Sequence, residues 1–227
     1  VWSEIQSDTL HQTYGNTGDQ DDALVDGDEI GLSGIFPITN YPLFDARKEQ
    51  LRPYVMSGIS IEVLATQADG SMVLEVDMDD WEVRKSQRWC GNLVVPDSQS
   101  GKAIESPLLI KEEAIVRLSL SGTPNRRSLH PKTGTFANPT SLVLQGNRSI
   151  VIEKGASLIL EKHSTLTLEG KGILQVKNGG ELIVEGGLDL GEKGTLKIER
   201  GANVIVLAEG EFVFSEESQV SGKIKRR

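Results

Sequence analysis

Asp19, Asp21, Asp26 and Asp28 are four of the five aspartates in one short stretch, residues 19–28, of this 227-residue chain. Carboxylate oxygens are the hard ligands that calcium takes, roughly six to eight at a time. The spacing departs from an EF-hand loop, with no glycine at its sixth position and no glutamate at its twelfth. Calcium ligation and a solvated acidic loop therefore both stay open, and no other cofactor is expected. Asp77, Asp79 and Asp80 also crowd together. Neighbouring carboxylates can divide acid and base roles, but the solvated end of a hairpin accounts for these more simply. Arg126, Arg127, His130 and Lys132 make a small basic patch in residues 123–139, which break the surrounding pattern and are read as a solvated loop. His11, His130 and His163 lie far apart, and Cys90 beside Trp89 is expected to be a small buried apolar residue. The chain has no His-Glu-x-x-His, no Gly-x-Ser-x-Gly and no Walker loop, and Gly170-Lys171-Gly172 lacks the third glycine of a dinucleotide fingerprint. No catalytic or cofactor-binding residue is assigned, and the chain is not expected to be an enzyme in itself.

Composition narrows the classes further. A net charge of −9 argues against nucleic acid, whose phosphates need a basic surface. A single cysteine excludes a disulfide scaffold. No apolar run approaches the roughly 18 residues that span a bilayer. No basic segment followed by an apolar one opens the chain, so no signal peptide is expected, and the start at Val1-Trp2 reads as a fragment or a mature product. Residues 1–80 hold 16 acidic and three basic residues, whereas residues 81–227 hold 17 and 21. That shift predicts two units.

The elements that position these residues follow from a repeat. Apolar i, i+2 pairs recur every eight residues at Leu142/Leu144, Ile150/Ile152, Leu158/Leu160, Leu166/Leu168, Leu174/Val176 and Leu182/Val184. After a two-residue deletion at Gly186-Gly187 they resume at Leu188/Leu190, Leu196/Ile198, Val204/Val206 and Phe212/Phe214. Corner glycines Gly155, Gly179 and Gly201 recur at 24 and 22 residues. Alternation means strands with every second side chain inward. Three eight-residue strands between glycine corners make one coil of a three-sided parallel β-solenoid, the expected all-β fold. An antiparallel sandwich would share the short spacing, but it would not require identical corners at every third strand.

Residues 106–222 are assigned to the solenoid, with residues 123–139 inserted at a corner, residues 81–105 as linker or cap, and residues 223–227 as tail. Leu118/Leu120, placed 24 residues before Leu142/Leu144, are read as the coil below. Stacking predicts Glu153 over Lys177, Glu169 near Lys193 and Glu161 over Glu185. The opposite-charge pairs are worth under about 1 kcal/mol each. Residues 1–80 are an acidic, loop-rich β unit containing a hairpin over 58–78, turned at Asp69-Gly70. Its predicted inward set is Ile59, Ile61, Val63, Met72, Leu74, Val76 and Met78.

The run Ser149-Ile150-Val151-Ile152-Glu153-Lys154-Gly155-Ala156-Ser157-Leu158-Ile159-Leu160, continuing to Val184, resembles right-handed β-helix segments of large secreted bacterial proteins of the type IX-exported kind, over residues 105–222. In those proteins such a helix is usually a stalk or spacer. Gly18-Asp19, Gly34-Ile35-Phe36-Pro37 and Ser57-Gly58-Ile59-Ser60-Ile61 leading to Ser71-Met72-Val73-Leu74-Glu75-Val76 are similar to the tail of secreted M6-like metallopeptidases, over residues 15–78. The catalytic motif of that family is absent from this sequence, so no catalytic residue carries over.

Three functions follow as expectations. The first is a non-catalytic structural, interaction or adhesion segment of a larger secreted or cell-surface protein. The second is the accessory tail of a metallopeptidase whose catalytic domain lies upstream. The third is a carbohydrate-active β-helix, which would need converging carboxylates near residues 123–139. Each places the chain outside the cell or at its surface. The partners implied are other domains of the parent protein, secretion machinery or surface proteins, with no nucleic acid and no membrane span.

Overall fold

The computed structural model describes residues 26–32, 44–45, 50–51, 53–89, 91–97, 106–119 and 139–227. The strands in chain order begin with β1 (Glu29–Ile30), β2 (Phe44–Asp45), β3 (Gln50–Leu51), β4 (Pro53–Val55), β5 (Ser60–Thr66) and β6 (Met72–Asp77). The coils follow, three strands to each. They are β7 (Glu82–Val83), β8 (Gln87–Trp89) and β9 (Asn92–Val95), then β10 (Leu108–Ile110), β11 (Ile115–Leu118) and β12 (Thr140–Leu144). Next come β13 (Ser149–Ile152), β14 (Ser157–Leu160) and β15 (Ser164–Leu168), then β16 (Ile173–Val176), β17 (Glu181–Val184) and β18 (Gly187–Asp189). The series ends with β19 (Thr195–Ile198), β20 (Asn203–Val206), β21 (Glu211–Val213), β22 (Gln219–Ser221) and β23 (Lys225–Arg226).

These strands form the expected three-sided parallel β-solenoid of about five coils. The first face runs β7-β10-β13-β16-β19-β22, the second β8-β11-β14-β17-β20-β23 and the third β4-β9-β12-β15-β18-β21. Successive coils sit about 4.8 Å apart, so the array is a rod about 24 Å long. The apolar pairs predicted to point inward do so: Leu158, Leu166, Leu174 and Leu182 are fully buried in one continuous core column. The shortened corner at Gly186 leaves the faces in phase, with Leu166 aligned to Leu188.

Three expectations change. Leu118 does not stack beneath Leu142, because residues 120–138 lie between β11 and β12 and displace the count. Leu118 aligns with Trp89 and Leu160 on the second face, while Leu142 aligns with Leu93 and Leu166 on the third. Leu120, the basic patch and most of the insert lie outside the described residues. Residues 82–95, within the stretch assigned to a linker or cap, form a complete first coil in register with the second. The third change concerns the hairpin. It forms as expected, β5 pairing antiparallel with β6 through a bulge at Val63/Ala65, and β1 adds a third strand on the far side of β5. Val63 is buried, but Met72, Leu74, Val76 and Met78 are exposed. Nothing among the described residues lies over β6 to make its apolar face an interior one.

Corner chemistry explains the repeat. Glu113, Gly155, Gly179 and Gly201 occupy the same corner in four successive coils, with φ of 68°, 75°, 77° and 91°. An L-residue with a side chain adopts this left-handed conformation at a cost, whereas glycine does so freely. The amide of Gly155 donates to the carbonyl of Gly179 (3.0 Å), and that of Gly179 to Gly201 (3.2 Å), tying the corners together. No helix among the described residues is long and apolar enough to cross a bilayer.

Candidate functional site

The polar groups with the most developed geometry lie where the three-stranded sheet meets the first coil. Asp80 is 4% exposed and accepts two hydrogen bonds from Arg84, Nη1 to Oδ2 at 3.0 Å and Nη2 to Oδ1 at 3.1 Å. Its Oδ1 also accepts from the amide of Glu82 at 3.0 Å. Arg84 reaches Glu82 at 3.1 Å and Glu29 of β1 at 3.2 Å. One guanidinium thus ties the sheet to the rod, the bidentate fork being the strongest geometry an arginine offers. Burial pushes the Arg84 guanidinium down, but the hydrogen bonds and charge of Asp80, with Glu82 and Glu29, raise it overall.

Behind this clamp, Trp81 stacks on the buried guanidinium of Arg148, with 4.2 Å from Cζ to the ring centroid. Burial lowers the Arg148 pKa, and the charges of Asp79 and Asp97 oppose that shift. Gly58 passes so close to Trp81 that a Cβ there would lie 2.3 Å from the ring, at a φ of 64°. Its carbonyl accepts the Asp80 amide at 2.8 Å. Asp79 accepts a hydrogen bond from Ser106 at 2.8 Å, and Asp77 one from the Asp79 amide at 3.0 Å. The Asp77, Asp79 and Asp80 cluster is therefore a joint. Its carboxylates hold backbone amides, the Ser106 hydroxyl and the Arg84 guanidinium, not one another.

Along the rod the outward charges are tied in ladders. Glu153 meets Lys177 at 3.4 Å, as stacking predicts, and Lys111 from the coil below at 3.3 Å. Glu169 accepts from Gln145 at 3.5 Å, while Lys193 reaches Glu217 at 3.6 Å. Glu161 and Glu185 both line a shallow groove, with Arg88, Arg117, Lys162 and His163, beside the corner that follows β14. Arg117 meets Glu161 at 3.5 Å, and Lys162 meets Glu209 at 2.5 Å, a contact that raises the ammonium and lowers the carboxyl.

Of the calcium candidates, Asp19 and Asp21 lie outside the described residues. Asp26 is exposed in the turn before β1, and the carbonyl of Asp28 accepts the Val63 amide at 2.8 Å. No group of three or more His, Cys, Asp or Glu side chains among the described residues is placed to hold a metal. Comparison with protein-family models, with curated proteins and with solved structures found no match.

The clamp was not legible in the sequence. Arg84 and Arg148 fall outside the repeat signature, and Arg148 replaces the glycine of later coils without any local cue. The exposure of β6 had no signal in the sequence: the apolar run Met72-Val73-Leu74 reads as a covered strand.

Proposed function

We propose that this chain is a rigid spacer that carries an accessory β-sheet at one end, within a larger secreted or cell-surface protein. The observation that supports this is the continuity of three six-stranded parallel sheets around one apolar column, with the three-stranded sheet clamped onto the first coil by Asp80 and Arg84. Such an array fixes the separation of whatever it joins, and some of its outward charges, Lys111, Glu153 and Lys177 among them, are paired from coil to coil. The likeness of residues 105–222 to β-helix stalks of exported proteins points the same way. The test is fractionation of the source cells with an antibody raised against this chain, followed by intact mass and N-terminal sequencing of the captured polypeptide. Recovery from the medium or the cell surface is the expected result, and recovery from the cytoplasm overturns it. A His-Glu-x-x-His domain on the same polypeptide would instead make this chain the accessory tail of a metallopeptidase.

A further inference from the structure

Asn178 is the one asparagine of this chain that glycine follows. The pair stands at an exposed corner of the rod, between β16 and β17, where Gly179 takes its left-handed φ of 77°. Such a pair sets an electrophile, the side-chain Cγ of asparagine, beside a nucleophile, the amide nitrogen of the next residue. Glycine has no Cβ to obstruct their approach. In the rod the corner holds both groups. The Gly179 amide donates to the carbonyl of Gly201 in the next coil at 3.2 Å. The Asn178 amide donates to Oε2 of Glu199, also in the next coil, at 3.0 Å. That bond, followed by one from Gln175, draws the Glu199 carboxyl below its ordinary range. The Asn178 side chain packs on the next coil as well. Its Oδ1 fills the space of a Cβ on Gly201, 2.2 Å from where that atom would stand. Lys154 does the same one coil below, its Cγ 3.0 Å from the Cβ position of Gly179. The placement is therefore a repeated feature of this corner.

We infer that Asn178 is a latent deamidation site, closed while the corner is intact and open to reaction when coils four and five part there. In the reaction the Gly179 nitrogen gives up its proton and bonds to Cγ of Asn178. The Cγ–Nδ2 bond breaks, ammonia leaves and a cyclic imide remains. Water then opens one of the two imide carbonyls. One opening restores the ordinary backbone with an aspartate at 178. The other routes the backbone through the side chain as isoaspartate, which adds a methylene to the main chain. Water is the only co-reactant. The first step needs the Gly179 N–H released from Gly201, so the rate in the folded rod is the intrinsic rate scaled by the fraction of time the corner is open. Isoaspartate lengthens a corner that Gly155, Gly179 and Gly201 hold in phase. A layer that opens and reacts therefore does not close again in register. Asn178 thus records past openings of one particular layer. The inference goes beyond the spacer reading and stands or falls separately from it.

The test uses the full chain at mildly alkaline pH, kept either folded in buffer or unfolded in guanidinium chloride. Mass spectrometry of the proteolytic peptides that contain residue 178 reads the conversion of amide to acid. Conversion should be about tenfold or more faster in the unfolded chain than in the folded one. Glu199 is exposed, and Glu199→Ala removes the acceptor of the Asn178 amide. That variant should keep the folded circular dichroism spectrum and convert about threefold faster while folded, with the rate in denaturant unchanged. Chains refolded after conversion to isoaspartate should melt below unconverted ones. Equal rates in the folded and unfolded chain, no conversion in denaturant, a folded Glu199→Ala chain that converts at the parent rate, or isoaspartyl chains with the unconverted melt would each overturn the proposal.

Discussion

Coils three to five and the three-stranded sheet are made from the same material, alternating aliphatic strands joined at glycine-bearing turns, and they differ in what closes over them. In the coils every inward side chain faces two other strands of its own turn and the layers above and below, so Leu158, Leu166 and Leu174 are sealed from water. In the sheet, Val63 is sealed, while Leu74 directly across from it stands half exposed. Alternation marks which face of a strand is apolar. Closure of the chain around that face decides whether it is a core.

The contrast can be broken most severely at Leu166, which is fully buried in the middle of the column. Leu166→Asp places an unpaired charge in an apolar interior and should cost more than about 4 kcal/mol. Chemical denaturation followed by circular dichroism should show the array lost, and an unchanged midpoint would mean that Leu166 does not point inward. The next largest effect is expected at the joint. Asp80→Ala removes the acceptor for Arg84 and for the Glu82 amide, a loss of about 1–3 kcal/mol. Because Arg84 is partly exposed and can turn to water, the lower end of that range is expected. Hydrogen exchange should accelerate in β1 and β5 and stay unchanged in β14 to β20. Uniform acceleration would show that sheet and rod form one cooperative unit.

The smallest effect sharpens the comparison among the coils themselves. Glu113 holds the left-handed corner that glycine fills in the three following coils. Glu113→Gly should therefore stabilise the second coil by about 1 kcal/mol, seen as a small rise in Tm. A fall would mean that the Glu113 side chain makes a contact worth more than the strain.

The fold of the coils was legible because each layer repeats one instruction: apolar at two alternating positions, then a left-handed corner. The register between layers followed wherever the corner count was regular, and it failed at Leu118, where the insert at residues 120–138 separates two strands adjacent in the coil. The pairing of Glu153 with Lys177 was legible for the same reason, since a fixed period fixes the neighbour. The clamp was not, because Glu29, Asp80 and Arg84 converge from two units with no shared period. The exposure of Met72, Leu74 and Val76 was not legible either, since coverage depends on elements distant in sequence.

The hydrogen bonds that join one coil to the next run nearly parallel to the long axis of the rod, because the strands lie across it. A pull applied between the two ends therefore loads the layers in series, and the rod parts at its weakest interface while the others hold. Coils 24 residues apart in register at Leu142 and Leu166, and 22 apart at Leu182 and Val204, would each release about 75 to 85 Å of slack when peeled. Under mechanical tension the molecule is thus a stepwise extensible tether, stiff while intact and lengthening by one turn at a time.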